Sequence, residues 1–180
     1  MIETAAQFVQ LTAPEQVSDS LVEELASCWV EVTNAGGTAG FPFPPVDLAQ
    51  TASAVEAIVE SLAPETSRLL LVHVEGELAG WLNVRRDPFE LVRHWGTVHH
   101  VQTRPAVRGR GLGMQLMREV RTLARKEMGL EQLRLAARAG VGLEGFYGRL
   151  GWKEIGRWPG ALRFGQNDDR DEVLMLLSPL

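Results

Sequence analysis

The stretch Thr103–Val120, TRPAVRGRGLGMQLMREV, decides how this 180-residue chain folds. The stretch begins at the end of a predicted β-strand, Gly96–Pro105, and continues through three glycines. It ends within an amphipathic helical pattern, Met114–Met128. The first amides of a helix lack internal hydrogen-bond partners, and the helix dipole adds positive charge, so this order of elements forms an anion site. Bare glycine backbone lets a ligand approach closely. We therefore expect a phosphate or pyrophosphate here, with Arg108 and Arg110 adding charge.

Two known phosphate-binding patterns do not match this loop. A P-loop needs G-x-x-x-x-G-K-[ST], and no Lys-Ser or Lys-Thr pair follows the glycines. The dinucleotide fingerprint G-x-G-x-x-G would start at Gly109 and require glycine where Met114 stands. It would also lie in an early βαβ unit rather than after a run of strands. The alternatives that remain are another phosphate-bearing ligand or a glycine-rich turn without a ligand.

The predicted helices and strands place the loop in a mixed α/β chain. Apolar residues at helical spacing predict helices at Val17–Asn34, Asp47–Leu62, Met114–Met128 and Leu143–Leu150. β-like runs predict strands at Ala5–Leu11, on both sides of Glu75-Gly76 within Arg68–Arg86, and at Gly96–Pro105, Gln132–Ala137, Trp152–Arg157, Ala161–Gly165 and Glu172–Leu177. The polar turn GQNDDRDE separates the last two. This order predicts an α/β or α+β fold with a mixed sheet, and no linker divides residues 1–180, which we expect to form one domain.

The composition argues against several classes of protein. The 18 basic and 23 acidic side chains give a net charge of −5 and a pI near 5.4, which disfavours a general nucleic-acid binder. The single cysteine, Cys28, cannot form a disulfide within the chain and is expected to be buried. No Cys/His cluster has metal-ligand spacing. The N-terminus lacks the features of a signal peptide, and no apolar run approaches the ~20 residues that cross a bilayer. We therefore expect a cytoplasmic protein without a metal, membrane or nucleic-acid partner.

Two motifs resemble those of the GNAT family of N-acetyltransferases. Arg108, Gly111 and Gly113 fit the family's acetyl-CoA loop, [RQ]-x-x-G-x-[GA], and FYGRLGW at Phe146–Trp152 fits its second signature, F-Y-x-x-x-G-[FW]. The resemblance extends from about Arg68 to the C-terminus. It implies a central, mixed but mostly antiparallel sheet of about seven strands, flanked by about four helices. It also implies acetyl-CoA as the cosubstrate and no metal.

The resemblance assigns the cofactor-binding residues. Amides of the loop would hold the pyrophosphate of CoA, and the exposed edge of the preceding strand would pair with the amide-rich pantetheine arm. The residues are Val101, Gln102 and Thr103 on the strand, and Arg108, Gly109, Arg110, Gly111, Leu112, Gly113 and Met114 in the loop. One departure concerns an asparagine that contacts the pantetheine in many relatives, because Gly140 occupies that position.

The candidate catalytic residues are one tyrosine and two histidines. Tyr147, the single tyrosine, occupies the position of the family's general acid, which protonates the thiolate leaving group. His99 and His100 are candidates for the base that removes a proton from the amine. Neighbours on a strand point to opposite faces, so at most one of them is expected to face the cleft. We favour His99. The alternative for all three side chains is ordinary packing.

The N-terminal third of the chain, which is expected to shape the acceptor site, carries no motif. We expect the helical N-terminal third to line it, with Phe41, Phe43 and Trp81 as apolar walls. The layout more distantly resembles the small-molecule acetyltransferases of the tabtoxin-resistance kind, which implies a primary amine on an amino acid, amine or antibiotic. The alternatives are a protein or peptide amine, a CoA-binding regulatory module without catalysis, and a nucleotide-phosphate binder. A homodimer through the C-terminal strands is compatible with the resemblance.

Overall fold

The computed structural model describes residues 6–37 and 44–180, and its centre is one seven-stranded sheet. The strands lie in the order β1-β2-β3-β4-β5-β7-β6. They are β1 (Gln7–Leu11), β2 (Ser67–Val74), β3 (Glu77–Arg86), β4 (Trp95–Thr103), β5 (Gln132–Arg138), β6 (Lys153–Gly165) and β7 (Asp168–Leu177). The helices are α1 (Asp19–Asn34), α2 (Leu48–Glu60), α3 (Leu112–Lys126) and α4 (Leu143–Gly148). The predicted fold class is confirmed.

The pairing of β4 with β5 differs from every other pairing recorded in the described ranges. It is parallel, whereas the other neighbouring strands run antiparallel. Parallel neighbours need a crossover connection, and α3 supplies it. The two strands pair only over Trp95–Thr97 and Gln132–Arg134. Beyond these three residue pairs they separate, which opens a cleft in the middle of the sheet.

Two apolar cores cover the two faces of the sheet. On one face, α1 and α2 bury residues such as Leu25, Trp29 and Val55 against β2 and β3. Cys28 lies in this core with no exposed surface, and burial raises the pKa of its thiol to about 12, so the prediction of a buried cysteine is confirmed. On the other face, α3 packs its apolar stripe against the centre of the sheet. That stripe consists of Leu112, Leu116, Met117, Val120, Leu123 and Ala124.

Local signals explain where the N-terminal helices begin. The hydroxyl of Ser18 accepts a hydrogen bond from the Leu21 amide at 3.2 Å, so Ser18 caps α1. The Asp47 carboxylate caps α2 by accepting a hydrogen bond from the Gln50 amide at 2.8 Å. The Gln50 side-chain oxygen in turn accepts a hydrogen bond from the Asp47 amide at 3.1 Å. This reciprocal pair is a capping box.

The C-terminal hairpin differs from the prediction. The two strands predicted at Trp152–Arg157 and Ala161–Gly165 form one long strand, β6, whose pairing with β7 is irregular between Trp158 and Leu162. The Gly160 amide donates to the Asp171 carboxylate at 3.0 Å, so a side chain replaces the missing ladder bond and the strand continues. Part of the predicted polar turn therefore belongs to β7.

None of the helices in the described ranges is long and apolar enough to cross a membrane.

The close approach of β3 to β4 at Gly80 gives a test of the sheet. A Cβ there would press against the carbonyl oxygen of Gln102 and lie 3.0 Å from the Thr103 Cα. We expect Gly80→Ala to lower the free energy of unfolding by about 1–3 kcal/mol, because backbone atoms cannot rotate away. Urea unfolding measures this change.

The control for this test is Gly148→Ala. Gly148 lies in α4, and an added Cβ would meet nothing within 4 Å. Alanine is the better helix former, so we expect a gain of up to about 1 kcal/mol. A Gly80→Ala protein as stable as the wild type would contradict the described packing of β3 on β4.

Candidate active site

The cleft between β4 and β5 encloses a cavity of about 190 Å³, called here the cleft cavity. One wall comes from Thr97–Val101 of β4 and the other from Leu135–Ala137 of β5, while Leu143 and Tyr147 of α4 close one side. Because the strands do not pair here, the edges that face each other are available to a third extended chain. The geometry therefore suits a linear ligand with amide groups.

A second cavity of about 400 Å³ lies where β4 ends and α3 begins, and we call it the loop cavity. Gly111 is the N-cap of α3, with φ at +77°, a conformation that favours glycine. The amides of residues 112–114 precede the first intrahelical bond, which runs from the Gln115 amide to the Gly111 carbonyl at 3.1 Å. These amides are free to bind an anion.

The structure brings five of the predicted cofactor residues to the loop cavity. They are Val101, Gln102, Thr103, Arg108 and Gly113. Gly109, Arg110, Gly111 and Met114 lie in the same loop and first helical turn. The Leu112 side chain is buried in the core, which leaves its backbone amide as the group that could bind a ligand.

Other lining residues were not predicted from the sequence. They are Val32, Gly36 and Gly37 at the end of α1, together with Val141, Gly142, Leu143 and Phe146 at α4. Phe146 and its neighbours could have been found from the FYGRLGW motif. The end of α1 carries no motif, so only the tertiary structure reveals its contribution. Beside α4 the loop cavity is lined by Val141 and Gly142. Gly140, which stands where many relatives have an asparagine, is not among the lining residues.

Tyr147 lies at the junction of the loop cavity and the cleft cavity and lines both. Its ring packs edge-on against Phe146, with centroids 5.0 Å apart, and is tilted against the Trp152 ring at 5.9 Å. Burial raises the pKa of the hydroxyl above its ordinary value. The hydroxyl is therefore protonated at neutral pH and can donate a proton or a hydrogen bond.

The two histidines of β4 do not point to opposite faces, so that expectation is wrong. Asn83 pairs with His99 and Trp81 pairs with Gln102, which leaves one extra residue in β4, a β-bulge. His100 takes a φ of +56° at this bulge. The imidazole of His100 then lies on the α1 face, with its centroid 4.6 Å from the Trp29 ring.

Both histidines line the cleft cavity, and their ring centroids are 5.7 Å apart. The pKa of His99 is lowered to about 4, first by burial and then by the charges of His100, Arg85 and Arg134. His99 is therefore neutral at pH 7, and its imidazole can accept a proton. His100 packs between Trp29 and Trp81 as well as facing the cleft.

The predicted acceptor wall is not supported at Trp81. This side chain is 1% exposed, and its Nε1 donates to the Leu25 carbonyl at 3.2 Å, so it belongs to the core beneath α1. Phe41 and Phe43 lie outside the described residues. Trp81 is thus the one predicted wall residue that the structure describes, and it lies in the core instead of lining an acceptor site.

A third cavity, of about 420 Å³, adjoins the cleft on the side of α2, and we call it the arginine cavity. It shares Thr97 and His99 with the cleft cavity. The remainder of its lining comes from the end of α2, from β2 and β3, and from the starts of β4 and β5. These residues are Ser61, Thr66, Ser67, Arg85, Arg86, Asp87, Pro88, Trp95 and Arg134. These residues carry no shared motif, so the cavity was not predicted from the sequence.

Solved structures with the same fold cover almost the whole chain. Ribosomal-protein-alanine N-acetyltransferase from Brucella melitensis is 19% identical with a TM-score of 0.72, over 94% of this chain and 99% of that one. A protein provisionally assigned as a phosphinothricin N-acetyltransferase is 16% identical with a TM-score of 0.74, over 96% and 98%. The protein yncA from Salmonella typhimurium, solved with its cofactor acetyl-CoA, is 17% identical with a TM-score of 0.71, over 96% and 94%.

A family comparison adds to this shared fold. The sequence model of the Acetyltransferase (GNAT) family matches residues 20–152, which span α1 to the end of the FYGRLGW motif. The match includes the glycine loop, the unpaired edge of β4 and Tyr147. GNAT enzymes are acetyl-CoA-dependent N-acetyltransferases. The chain belongs to the GNAT acetyltransferase family.

Proposed function

We propose that this enzyme transfers the acetyl group of acetyl-CoA to a primary amine of a small molecule, by direct attack within a ternary complex. The observation that carries the proposal is the continuity of the three cavities. Val101, Leu143 and Tyr147 are common to the loop cavity and the cleft cavity. Thr97 and His99 are common to the cleft cavity and the arginine cavity. A donor and an acceptor could thus enter from opposite ends and meet in the cleft.

The residues of the loop cavity fit acetyl-CoA. The amides of residues 112–114 and the Arg108 guanidinium offer donors and positive charge for a pyrophosphate. The unpaired edge of β4 offers backbone groups to the amides of a pantetheine arm. When bound, acetyl-CoA supplies an activated thioester, so the protein needs no covalent intermediate of its own.

The chain's own side chains then handle the protons. His99 is the candidate base, because it lines both the cleft and the arginine cavity. Its lowered pKa of about 4 keeps the imidazole neutral at pH 7 but makes it a weaker base than a free imidazole. As the amine nitrogen bonds to the acetyl carbon, its proton passes to His99 directly or through water. Tyr147 is the candidate acid, because its buried hydroxyl retains a proton that can pass to the departing sulfur.

The shape of the acceptor end supports a small molecule. The arginine cavity of about 420 Å³ lies within the range typical of small-ligand pockets, roughly 300–1,000 Å³. Its walls come from four strands and the end of α2.

The loop assignment is tested by a matched pair at Gly111. Asp and Asn have the same shape and the same difficulty with the positive φ, and a side chain there would meet nothing within 4 Å. We expect Gly111→Asp to weaken acetyl-CoA binding about tenfold or more relative to Gly111→Asn, because a carboxylate would repel the pyrophosphate. Calorimetric titration gives both affinities. Equal affinities in the two variants would contradict the assignment.

The acid role is tested by Tyr147→Phe, which removes only the hydroxyl. We expect kcat to fall about a hundredfold because the leaving thiolate loses its proton donor. The affinity for acetyl-CoA should stay within about twofold of the wild type, since the ring packing is retained. Thiol release and calorimetry measure the two quantities. A variant with full turnover would remove Tyr147 from this role.

The environment of His99 is tested by the pH dependence of stability. The unfolded chain protonates this imidazole near its ordinary pKa of ~6.5, whereas the folded protein does so at about 4. Stability is therefore lost as pH falls from 6.5 towards 4. Between pH 7 and pH 4.5, the free energy of unfolding should fall by about 2 kcal/mol less in His99→Gln than in the wild type.

Urea unfolding at several pH values measures this difference. Above pH 7 both folded and unfolded chains hold His99 neutral, so the two stability curves should run parallel there, which serves as the internal control. Curves that stay parallel down to pH 4.5 would show that His99 titrates normally.

A further inference from the structure

The guanidinium groups of Arg85 on β3 and Arg134 on β5 face the arginine cavity, and neither forms an ion pair with a described residue. Arg86 also lines the cavity, but its guanidinium lies on the other face of the sheet and donates to the Met128 carbonyl. Asp87 is the one carboxylate in the lining, and it accepts from the Phe89 amide at 2.8 Å. With His99 neutral, the two guanidinium groups and this carboxylate carry a net charge of +1, in a chain whose net charge is −5.

The arginine cavity is distinguished by the convergence of two arginines rather than by the lack of an ion pair. Elsewhere in the described ranges six arginines have a carboxylate partner within 4 Å and seven do not; the six are Arg68, Arg93, Arg104, Arg157, Arg163 and Arg170. Arg85 and Arg134 come from different strands, and both face the same concave site. Two guanidinium groups at one cavity, without an ion-paired carboxylate between them, favour an anion from outside the chain.

Neutral groups hold these guanidinium groups in place. Arg85 Nη2 donates to the Ser61 hydroxyl at 3.0 Å, and Arg134 Nε donates to the Thr97 hydroxyl at 2.9 Å. The Arg134 guanidinium also lies over the Trp95 ring, 4.0 Å from its centroid. Each contact orients an arginine without cancelling its charge, so the site is built before an anion binds.

We propose that the arginine cavity binds a carboxylate of the acceptor, so that the acceptor of this enzyme is an amino acid rather than a simple amine. This inference rests on the proposed function, in which acetyl-CoA occupies the loop cavity and the acceptor enters from the arginine cavity. Arginine matches the planar carboxylate with two parallel donors, and the lining adds the Ser67 and Thr66 hydroxyls as further hydrogen-bonding groups. With the carboxylate among the arginines, the amine end of the molecule reaches His99, which the cavity shares with the cleft.

The same geometry couples acceptor binding to the base. Arg85 and Arg134 are among the groups whose charge lowers the pKa of His99, together with burial and His100. A carboxylate bound between these arginines offsets their charge and makes His99 a stronger base. The imidazole thus gains basicity when the acceptor is present, which suits a group that must take a proton from an amine.

The test compares the proteinogenic amino acids with their carboxamides as acceptors, by release of free thiol from acetyl-CoA. A carboxamide keeps the amine and side chain and lacks the negative charge. We expect at least one amino acid to be acetylated with a kcat/KM about tenfold or more above that of its amide. Amides that are acetylated as well as the free acids would overturn the proposal.

Single substitutions test whether the arginines of the cavity cause the preference for the amino acid over its amide. Arg134→Gln and Arg85→Gln should each raise the KM for the amino acid about tenfold or more and so reduce the preference for the amino acid over its amide, while the KM for acetyl-CoA stays unchanged. Arg125→Gln is the matched control, because Arg125 is an exposed arginine near the end of α3 and outside the three cavities. An unchanged KM in both cavity variants would overturn the proposal.

A second measurement decides the case in which no acceptor of the panel reacts. The His99 imidazole is titrated by NMR in sodium acetate and in sodium chloride of equal ionic strength. Acetate should raise the midpoint of this titration in the wild type and leave it unchanged in Arg134→Gln. Equal midpoints in the two salts would overturn the proposal. Failure of the proposed function appears separately, as the absence of acetyl-CoA binding in calorimetry while the acetate response persists.

Discussion

β4 and β5 pair over only three residues and then separate, and the rest of the site depends on that separation. A parallel pair buried in a sheet would ordinarily continue its ladder, because unpaired backbone groups are costly. Here the ends of both strands are tied to α1 instead. Arg104, beside β4, forms an ion pair with Glu31 of α1, and Arg138 of β5 donates to the Gly36 carbonyl just after α1 at 3.1 Å. The end of α1 thus bridges the open strands and forms part of the loop cavity.

Burial keeps the two candidate catalytic side chains uncharged. Tyr147 of α4 and His99 of β4 both line the cleft cavity. Burial disfavours the charged form of each, which raises the pKa of the phenol and lowers that of the imidazole. At neutral pH the phenol therefore keeps its proton and the imidazole is neutral, as the proposed acid and base roles require.

Local sequence predicts much of the fold. The three-glycine loop predicts the turn into α3, because free helix amides and a positive φ at Gly111 need residues without a Cβ. Apolar spacing predicts all four helices to within a few residues, and the capping side chains of Ser18 and Asp47 account for the first turns of α1 and α2. These features depend on contacts between residues that are close in the chain, which is why they can be read from it. The same local motifs predicted the cofactor loop and Tyr147.

The surroundings of the two histidines and of the arginine cavity were decided by tertiary structure. The bulge at His100 arises because β4 has one residue more than β3 between two fixed pairs, and no local pattern signals that mismatch. The burial of Trp81 depends on the Leu25 carbonyl, 56 residues away in the chain. The arginine cavity gathers groups from α2, β3 and β5 that lie far apart in sequence. The sequence by itself determined the order of the helices and strands and the three-glycine turn into α3, because both follow from backbone chemistry within short segments. Which side chains meet around the arginine cavity depended on strand register and helix placement, which are set by packing across the whole sheet.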